Sequence, residues 1–354
     1  MNDAARPAMG LIGTTLPTGW TLEGEIPPYE GRTGATFCVG YIANRNGERA
    51  FIKVIDLMNA AHNRTNLVES LHEATSEILA ERAVLALCHD KKMTRIIRLI
   101  DHGEYEVPAF AGDPLGRVHY FVFELAASDV RKEVSFAKND QILWKLRVLK
   151  DVALAIDQLH RGGVAHQDIK PSNVLLMKPA EDAGDHKLGD LGRAIRMNAS
   201  GPFDDHVFPG DARYAPLSAW YGVRDAEWVD GRTSADLYML GVLACFLFGG
   251  INITQRQMVL IPNEMKVPDW HGTFEAVLPF LINVHAQVME EIEQGLPDSF
   301  RADLFAVIKE LTHPDPRLRG NPRARARVGR PPGTETYVSR FAHLVKVAEL
   351  KKSS

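Results

Sequence analysis

The sequence predicts an α+β fold in two lobes, the first rich in sheet and the second mostly helical. Three observations carry this expectation. Extended, turn-punctuated segments fill most of the chain before Leu125, with one long helical pattern among them. Beyond Leu125 helical periodicity takes over. The 354 residues suffice for one large domain or two lobes with an ample apolar interior.

The elements follow in order. Residues 1–25, rich in Gly, Pro and Thr, read as a loose lead-in. A first lobe is expected over 26–125, opening with ATFCVGYIAN and RAFIKVIDL, two strands joined by the turn NRNGE. From Asn66 to Cys88 apolar residues recur at Leu67, Leu71, Ile78 and Leu85, while Glu69, Glu73, Glu77 and Glu81 recur every four, which predicts an amphipathic helix with an acidic stripe. RIIRLIDHGEY and VHYFVFEL read as further strands. A helical second lobe is expected over 126–320, starting with ILWKLRVLKDVALAIDQLH and continuing over 234–248, 274–293 and 301–311. A basic loop and a C-terminal helix packed on that lobe complete 321–354.

Composition sets bounds on function. Hydrophobic residues make up 45%, charged residues 24%, and the net charge is -4, so no general electrostatic reason exists to expect nucleic acid or an anionic membrane as partner. The most apolar stretch, Leu237 to Gly250, is too short to span a bilayer and reads as a buried helix. Cys38, Cys88 and Cys245 lack metal-type spacing and suggest reduced thiols in a cytoplasmic protein. The N-terminus shows no pattern of a signal peptide or myristoylation site, so no export is expected. The tract 316–333 carries Arg317, Arg319, Arg323, Arg325, Arg327 and Arg330 among Gly and Pro; it reads as a solvated basic loop, with an acidic or phosphorylated docking partner as the sharper alternative.

Chemistry concentrates in HQDIKPSNVLL, His166 to Leu176. Asp168 suits the removal of a hydroxyl proton, Lys170 the neutralisation of phosphate charge, and Asn173 the holding of a metal. Asp190 follows in KLGDLGRA as a second metal-binding carboxylate. Upstream, Lys53 closes AFIK, preceded by the glycine-containing turn YEGRTGATFCVG.

Together these segments resemble the eukaryotic-type protein kinase family over about residues 25–320. HQDIKPSN resembles its catalytic loop, DLG its metal-binding motif, AFIK its lysine strand and RYAPL (Arg213 to Leu217) the end of its activation segment. SADLYMLG (Ser234 to Gly241) resembles its central helix and DPRLR (Asp315 to Arg319) its late arginine motif. The resemblance implies a bilobal kinase fold with ATP in the cleft and transfer of the gamma phosphoryl to a protein substrate, on Ser or Thr because Pro171 follows Lys170. It makes Asp168 the catalytic base and Lys170 the stabiliser of the transferring group, with Asn173 and Asp190 holding magnesium. It gives Lys53 the ATP phosphates, with Glu81 as its helix partner and Glu77 as the alternative one turn away. Gly31 falls in the phosphate loop, Phe123 is the gatekeeper, and the backbone of Glu124 and Ala126 meets adenine. Asp236 supports the catalytic loop from below, and His166 is a packing and hydrogen-bonding residue.

Departures from the family pattern bear on regulation. Thr33 and Thr36 replace loop glycines, Leu217 replaces the glutamate that pairs with Arg319, and Gln167 replaces the Arg before the catalytic Asp, giving a non-RD sequence. Between Asp190 and Pro216 the only Ser or Thr is Ser200, near Asp204 and Asp205. Activity is therefore expected without activation-segment phosphorylation, unless a basic residue such as Arg193 takes the missing cation's place. Two rival readings are a pseudokinase scaffold, suggested by the irregular glycine loop, and a small-molecule phosphotransferase, which lacks the RYAPL and SADLYMLG platform.

Overall fold

A computed structural model describes residues 6–26, 38–62, 66–136, 140–178, 185–223, 228–326 and 333–353. Gly31 and the rest of the glycine loop, Arg327 and Arg330 lie outside the described residues. The chain divides into two compact units, 1–92 with 97–126, and 93–96 with 127–354.

The first unit carries β1 (Thr21–Ile26), β2 (Cys38–Arg45), β3 (Glu48–Ile55), α1 (Leu57–His62), α2 (Leu67–Asp90), β4 (Leu99–Glu106) and β5 (Arg117–Glu124). The strands form one antiparallel sheet in the order β1-β2-β3-β5-β4. The expected hairpin is β2–β3, with Arg45 opposite Glu48 across a two-residue turn. Asn46 and Gly47 both take positive φ, 53° and 86°, the conformation that an Asn-Gly turn supplies and that matches the twist of the flanking strands. Helix α2 begins where its sequence says it should. Asn66 caps it, its side-chain oxygen accepting from the backbone N–H groups of Val68 and Glu69.

The loose lead-in is corrected by the structure. Ala8, Leu11, Leu16 and Trp20 are buried in one core with Tyr41, Ile52, Val54, Tyr120 and Val122 of the sheet, and residues 21–26 are strand β1. Tyr41 donates its hydroxyl to the Ala8 carbonyl at 2.8 Å, and Arg6 pairs with the buried Asp56 at 2.8 Å. Burial of isolated apolar residues at irregular spacing gives no strand or helix period, so a Gly- and Pro-rich segment reads as loose even when it is packed.

The second unit contains β6 (Ser128–Asp129), α3 (Val130–Glu133), α4 (Ile142–Arg161), β7 (Val164–Ala165), β8 (Val174–Leu176), β9 (His186–Leu188) and β10 (Ile195–Arg196). It continues with α5 (Leu217–Trp220), α6 (Ser234–Gly249), α7 (Ile253–Leu260), α8 (Phe274–Gly295), α9 (Arg301–Leu311), α10 (Pro322–Arg325) and α11 (Thr334–Ser353). Helix α6 is buried almost all round, which is why its sequence is apolar without a preferred face. Among the described residues no single helix is long and apolar enough to cross a membrane. Helix α11 packs along α4, where Arg147 meets Glu349 at 2.7 Å. In the basic tract Arg317 is forked on Asp315 and Arg325 reaches Asp230, while Arg323 is exposed.

Candidate active site

Within the first unit, β3 places Lys53 and α2 places Glu81 so that Lys53 Nζ lies 2.9 Å and 3.0 Å from the two carboxylate oxygens. The side chains are 20% and 6% exposed, so the pair is shielded enough to matter. This fixes the helix register that the sequence left between Glu77 and Glu81: of the four acids on the stripe, Glu81 is the buried one. Phe123 is buried and stacks at 6.3 Å on Phe51, and strand alternation puts both rings on the Lys53 face of the sheet. Glu124 ends β5, its N–H donating to the Arg98 carbonyl, and Ala126 follows just beyond the strand.

Within the second unit, the segment 166–173 is folded back on itself between β7 and β8. Lys170 Nζ lies 2.8 Å from Asp168 Oδ2, and the Asn173 amide donates to the same oxygen at 3.0 Å and to the Asp168 carbonyl at 2.8 Å. The other carboxylate oxygen, Oδ1, accepts the backbone N–H of Asp211 at 2.9 Å. Asp168 is therefore held by donors at both oxygens. Burial pushes its carboxyl above the ordinary range and the nearby Asp190 adds to this, while Lys170 opposes both.

Asp190 is tied to this loop through its neighbour, since the Gly189 N–H donates to the Asn173 carbonyl at 2.9 Å. His166 spans the two segments as well: its Nε2 bonds the Gly189 carbonyl at 3.0 Å, and its Nδ1 accepts the Asp168 N–H at 3.2 Å. With the Asn173 nitrogen committed to Asp168, its amide oxygen and the Asp190 carboxylate supply the oxygen donors of the loop. Among the described residues no cluster of three or more His, Cys, Asp or Glu suits a metal. Two protein oxygens fit magnesium, which completes its shell with phosphate oxygens and water rather than an all-protein cage.

Beneath the loop lies its support. Asp236, fully buried in the first turn of α6, accepts four bonds: Oδ1 from the Gln167 N–H (2.8 Å) and side-chain amide (3.0 Å), Oδ2 from the His166 N–H (2.8 Å) and His160 Nε2 (2.9 Å). Burial works to raise its pKa, but the His160 bond and the surrounding donors outweigh it and hold the carboxyl below the usual range. Gln167 and Asp190 sit at φ 64° and 56°, left-handed positions that non-glycine residues seldom take and that their surroundings must enforce.

The activation segment is knit to this floor by contacts the sequence did not reveal. Gln167 also donates to the Arg232 carbonyl, and the Arg232 guanidinium donates to the backbone carbonyls of Asp204 and His206. Arg193 lies over the ring of the buried Phe203 at 4.5 Å. Leu217 is buried among Ile261, Val277, Leu281 and Val284, so packing anchors the end of the segment. Arg319 is held by the carbonyls of His313, Pro314 and Ser234 and the Ser234 hydroxyl, over the Tyr238 ring. Gly210, Asp211, His160 and Arg232 were missed from sequence, each being brought in across a long chain separation with no motif spacing to mark it.

Comparison with known proteins agrees with this geometry. Residues 30–326 match the family described as "Protein kinase domain". Relatives include a Wee1-like protein kinase of Arabidopsis thaliana, 34% identical over 124 residues (35% of this chain, 22% of that protein). MAP kinase-interacting serine/threonine-protein kinase 1 of Xenopus tropicalis is 28% identical over 216 residues (58% and 48%), and serine/threonine-protein kinase A of Synechocystis sp. 22% over 233 (63% and 40%). The matched region thus spans less than half the length of each of these relatives. With a match over most of its length and the lysine–glutamate pair and aspartate loop in place, the chain belongs to the protein kinase family.

Proposed function

We propose that this chain is a protein serine/threonine kinase that uses ATP and magnesium. The observation that carries the reading is the Asp168 carboxylate, buried and held by donors from Lys170, Asn173 and the Asp211 backbone. A carboxylate fixed in this way is oriented for one task, which is to receive the proton of an acceptor hydroxyl. The hydroxyl oxygen forms its bond to the gamma phosphorus as the bond from that phosphorus to the ADP oxygen breaks. The hydroxyl proton passes to Asp168.

ATP is the phosphoryl donor, and magnesium neutralises charge on its phosphates. Asn173 and Asp190 hold the metal. Lys53, fixed by Glu81, binds phosphate oxygens, and Lys170 stabilises charge on the transferring group. Two of the three relatives above are serine/threonine-protein kinases by name, and Lys170 followed by Pro171 points the same way.

The test is transfer of label from gamma-labelled ATP to a generic protein acceptor by wild type and Asp168→Ala, with hydrolysis of the product to identify the labelled amino acid. Label on Ser or Thr from wild type alone supports the reading. Equal labelling by both proteins, or none by folded wild type, sinks it.

A further inference from the structure

The network beneath the catalytic loop does not stop at His160. The Nε2 atom of that ring bonds Asp236 Oδ2 at 2.9 Å, and on the opposite side its Nδ1 lies 3.3 Å from the Thr334 hydroxyl. All three side chains are buried. A carboxylate only accepts, so Nε2 carries the hydrogen toward Asp236, and in the neutral ring Nδ1 is then an acceptor for which the Thr334 hydroxyl is the donor. A continuous chain of bonds thus runs from Thr334 through His160 and Asp236 to the backbone N–H groups of His166 and Gln167, directly before Asp168.

Thr334 opens α11 and lies beyond residue 326, where the match to the kinase family ends. Its placement is fixed from both sides. Gly333 turns the backbone at φ 75°, and a Cβ there would stand 2.4 Å from the Cβ of Ala324 in α10, so only glycine admits this turn at this distance. One turn further on, Tyr337 donates its hydroxyl to Glu310 Oε2 of α9 at 3.0 Å, and Arg340 meets the same oxygen at 2.8 Å. Anchoring α11 would be served as well by an apolar residue of the same shape at 334. Such a residue would leave the His160 Nδ1 buried and unmet, so the hydroxyl answers to the ring and not to the helix.

We infer that Thr334 is a positioning residue for phosphoryl transfer, holding the His160 ring against Asp236 from the C-terminal helix, an inference that rests on the phosphoryl-transfer reading above. A ring bonded at one nitrogen can turn about its Cβ–Cγ bond, whereas one bonded at both cannot. Without the hydroxyl, Nε2 swings off Asp236 Oδ2, the carboxylate settles toward its remaining donors, and the backbone of His166 and Gln167 moves with it. Asp168 follows, and a small displacement of a reacting group is costly in rate.

The experiment is steady-state phosphoryl transfer with varied ATP for the full chain as wild type, T334V, T334S and Y337F, with melting curves alongside. T334V keeps the shape and removes the hydroxyl, and is expected to lower kcat about fivefold or more while the KM for ATP stays within about twofold. T334S restores the donor and should stay within about twofold of wild type. Y337F breaks the bond to Glu310 on the next turn of the same helix without touching His160, and should keep kcat within about twofold whatever its melting temperature. The inference is overturned if T334V loses less than about fivefold, if its loss appears in KM alone, if T334S loses as much, or if Y337F does. The last result would make the effect one of helix anchorage. T334A replaces T334V should that variant not fold, and failure of both to fold would make the role structural and overturn the inference. Inactive wild type would sink the proposed function and this inference together, whereas active wild type with a neutral T334V would sink this inference alone.

Discussion

Asp236→Asn is the most informative single substitution, because it keeps shape and removes charge at the floor of the catalytic loop. Four donors converge on the two Asp236 oxygens at 2.8–3.0 Å. Asparagine offers one acceptor oxygen. If that oxygen faces Gln167, the asparagine NH2 faces the His166 N–H and His160. His160 can adapt by changing tautomer, since its Nδ1 is already 3.3 Å from the Thr334 hydroxyl. The His166 N–H cannot adapt, and a buried unmet donor costs about 1–3 kcal/mol. The two bonds retained by Gln167 become neutral rather than charge-assisted, losing about 1 kcal/mol each. The total loss is about 3–5 kcal/mol of stability in the second unit.

Gln167 depends on this support for its left-handed backbone, so Asp168 moves as well, and turnover should fall by about a hundredfold or more. Urea unfolding followed by tryptophan fluorescence and a phosphoryl-transfer assay on the same preparations check both effects. A stability loss below about 1 kcal/mol with turnover preserved would refute the reasoning, because it would show that the four bonds are not what holds the loop.

Other expectations follow from the same geometry. Asp190→Asn, which tolerates the left-handed backbone, should lose about a hundredfold or more in turnover while its melting temperature stays near wild type, as judged by parallel assay and thermal scan. Glu81→Ala should match Lys53→Ala in lost turnover while Glu77→Ala stays near wild type; the reverse order would contradict the observed ion pair. His285 is held neutral, its pKa lowered from 6.5 to about 3 chiefly by burial and further by His313, Lys309 and Arg319. The unfolded chain therefore takes up this proton first, and stability present above 6.5 drains away as pH falls from 6.5 toward 3. Between pH ~7.5 and ~5.5 wild type should lose about 1.4 kcal/mol more than His285→Gln in urea titrations. Ser200 is exposed on a segment already anchored by Arg232, Phe203 and Leu217. Phosphatase treatment or Ser200→Ala should therefore change turnover by less than about tenfold, and a larger loss in folded enzyme would show that phosphate orders the segment.

How much of this was legible depends on the distance over which each feature is encoded. The Asp168, Lys170 and Asn173 cluster lies within six residues, so its spacing marked it, and the ordered motifs around it, Lys53 and Asp190 among them, gave it its meaning. The β2–β3 hairpin was readable because its turn residues and alternation are contiguous, and α2 because its cap and its stripe lie on one continuous pattern. The partner of Lys53 was half legible. Glu77 and Glu81 share a stripe, and only tertiary packing determines which acid is turned inward. Asp236 was placed by resemblance, but its four bonds come from residues about 70 positions away that only the folded chain brings to it. Asp211 and Arg232 carried no signal, because charged residues in a loop look alike until the chain folds back and lays one of them on the catalytic aspartate.

The buried N-terminal segment has a consequence for where this kinase can be cut. The family match begins at residue 30, after Leu11, Leu16 and Trp20, and ends at 326, before Tyr337, Phe341 and Leu344 of α11. Each of these side chains is nearly or fully buried, and each contributes about 1.5–3 kcal/mol by being out of water. A fragment trimmed to the homologous region would strip one face of the sheet and one side of α4, leaving two adhesive surfaces on an otherwise intact catalytic sequence. The limits of shared ancestry and the limits of autonomous folding do not coincide in this chain, and the folding limits are the wider of the two.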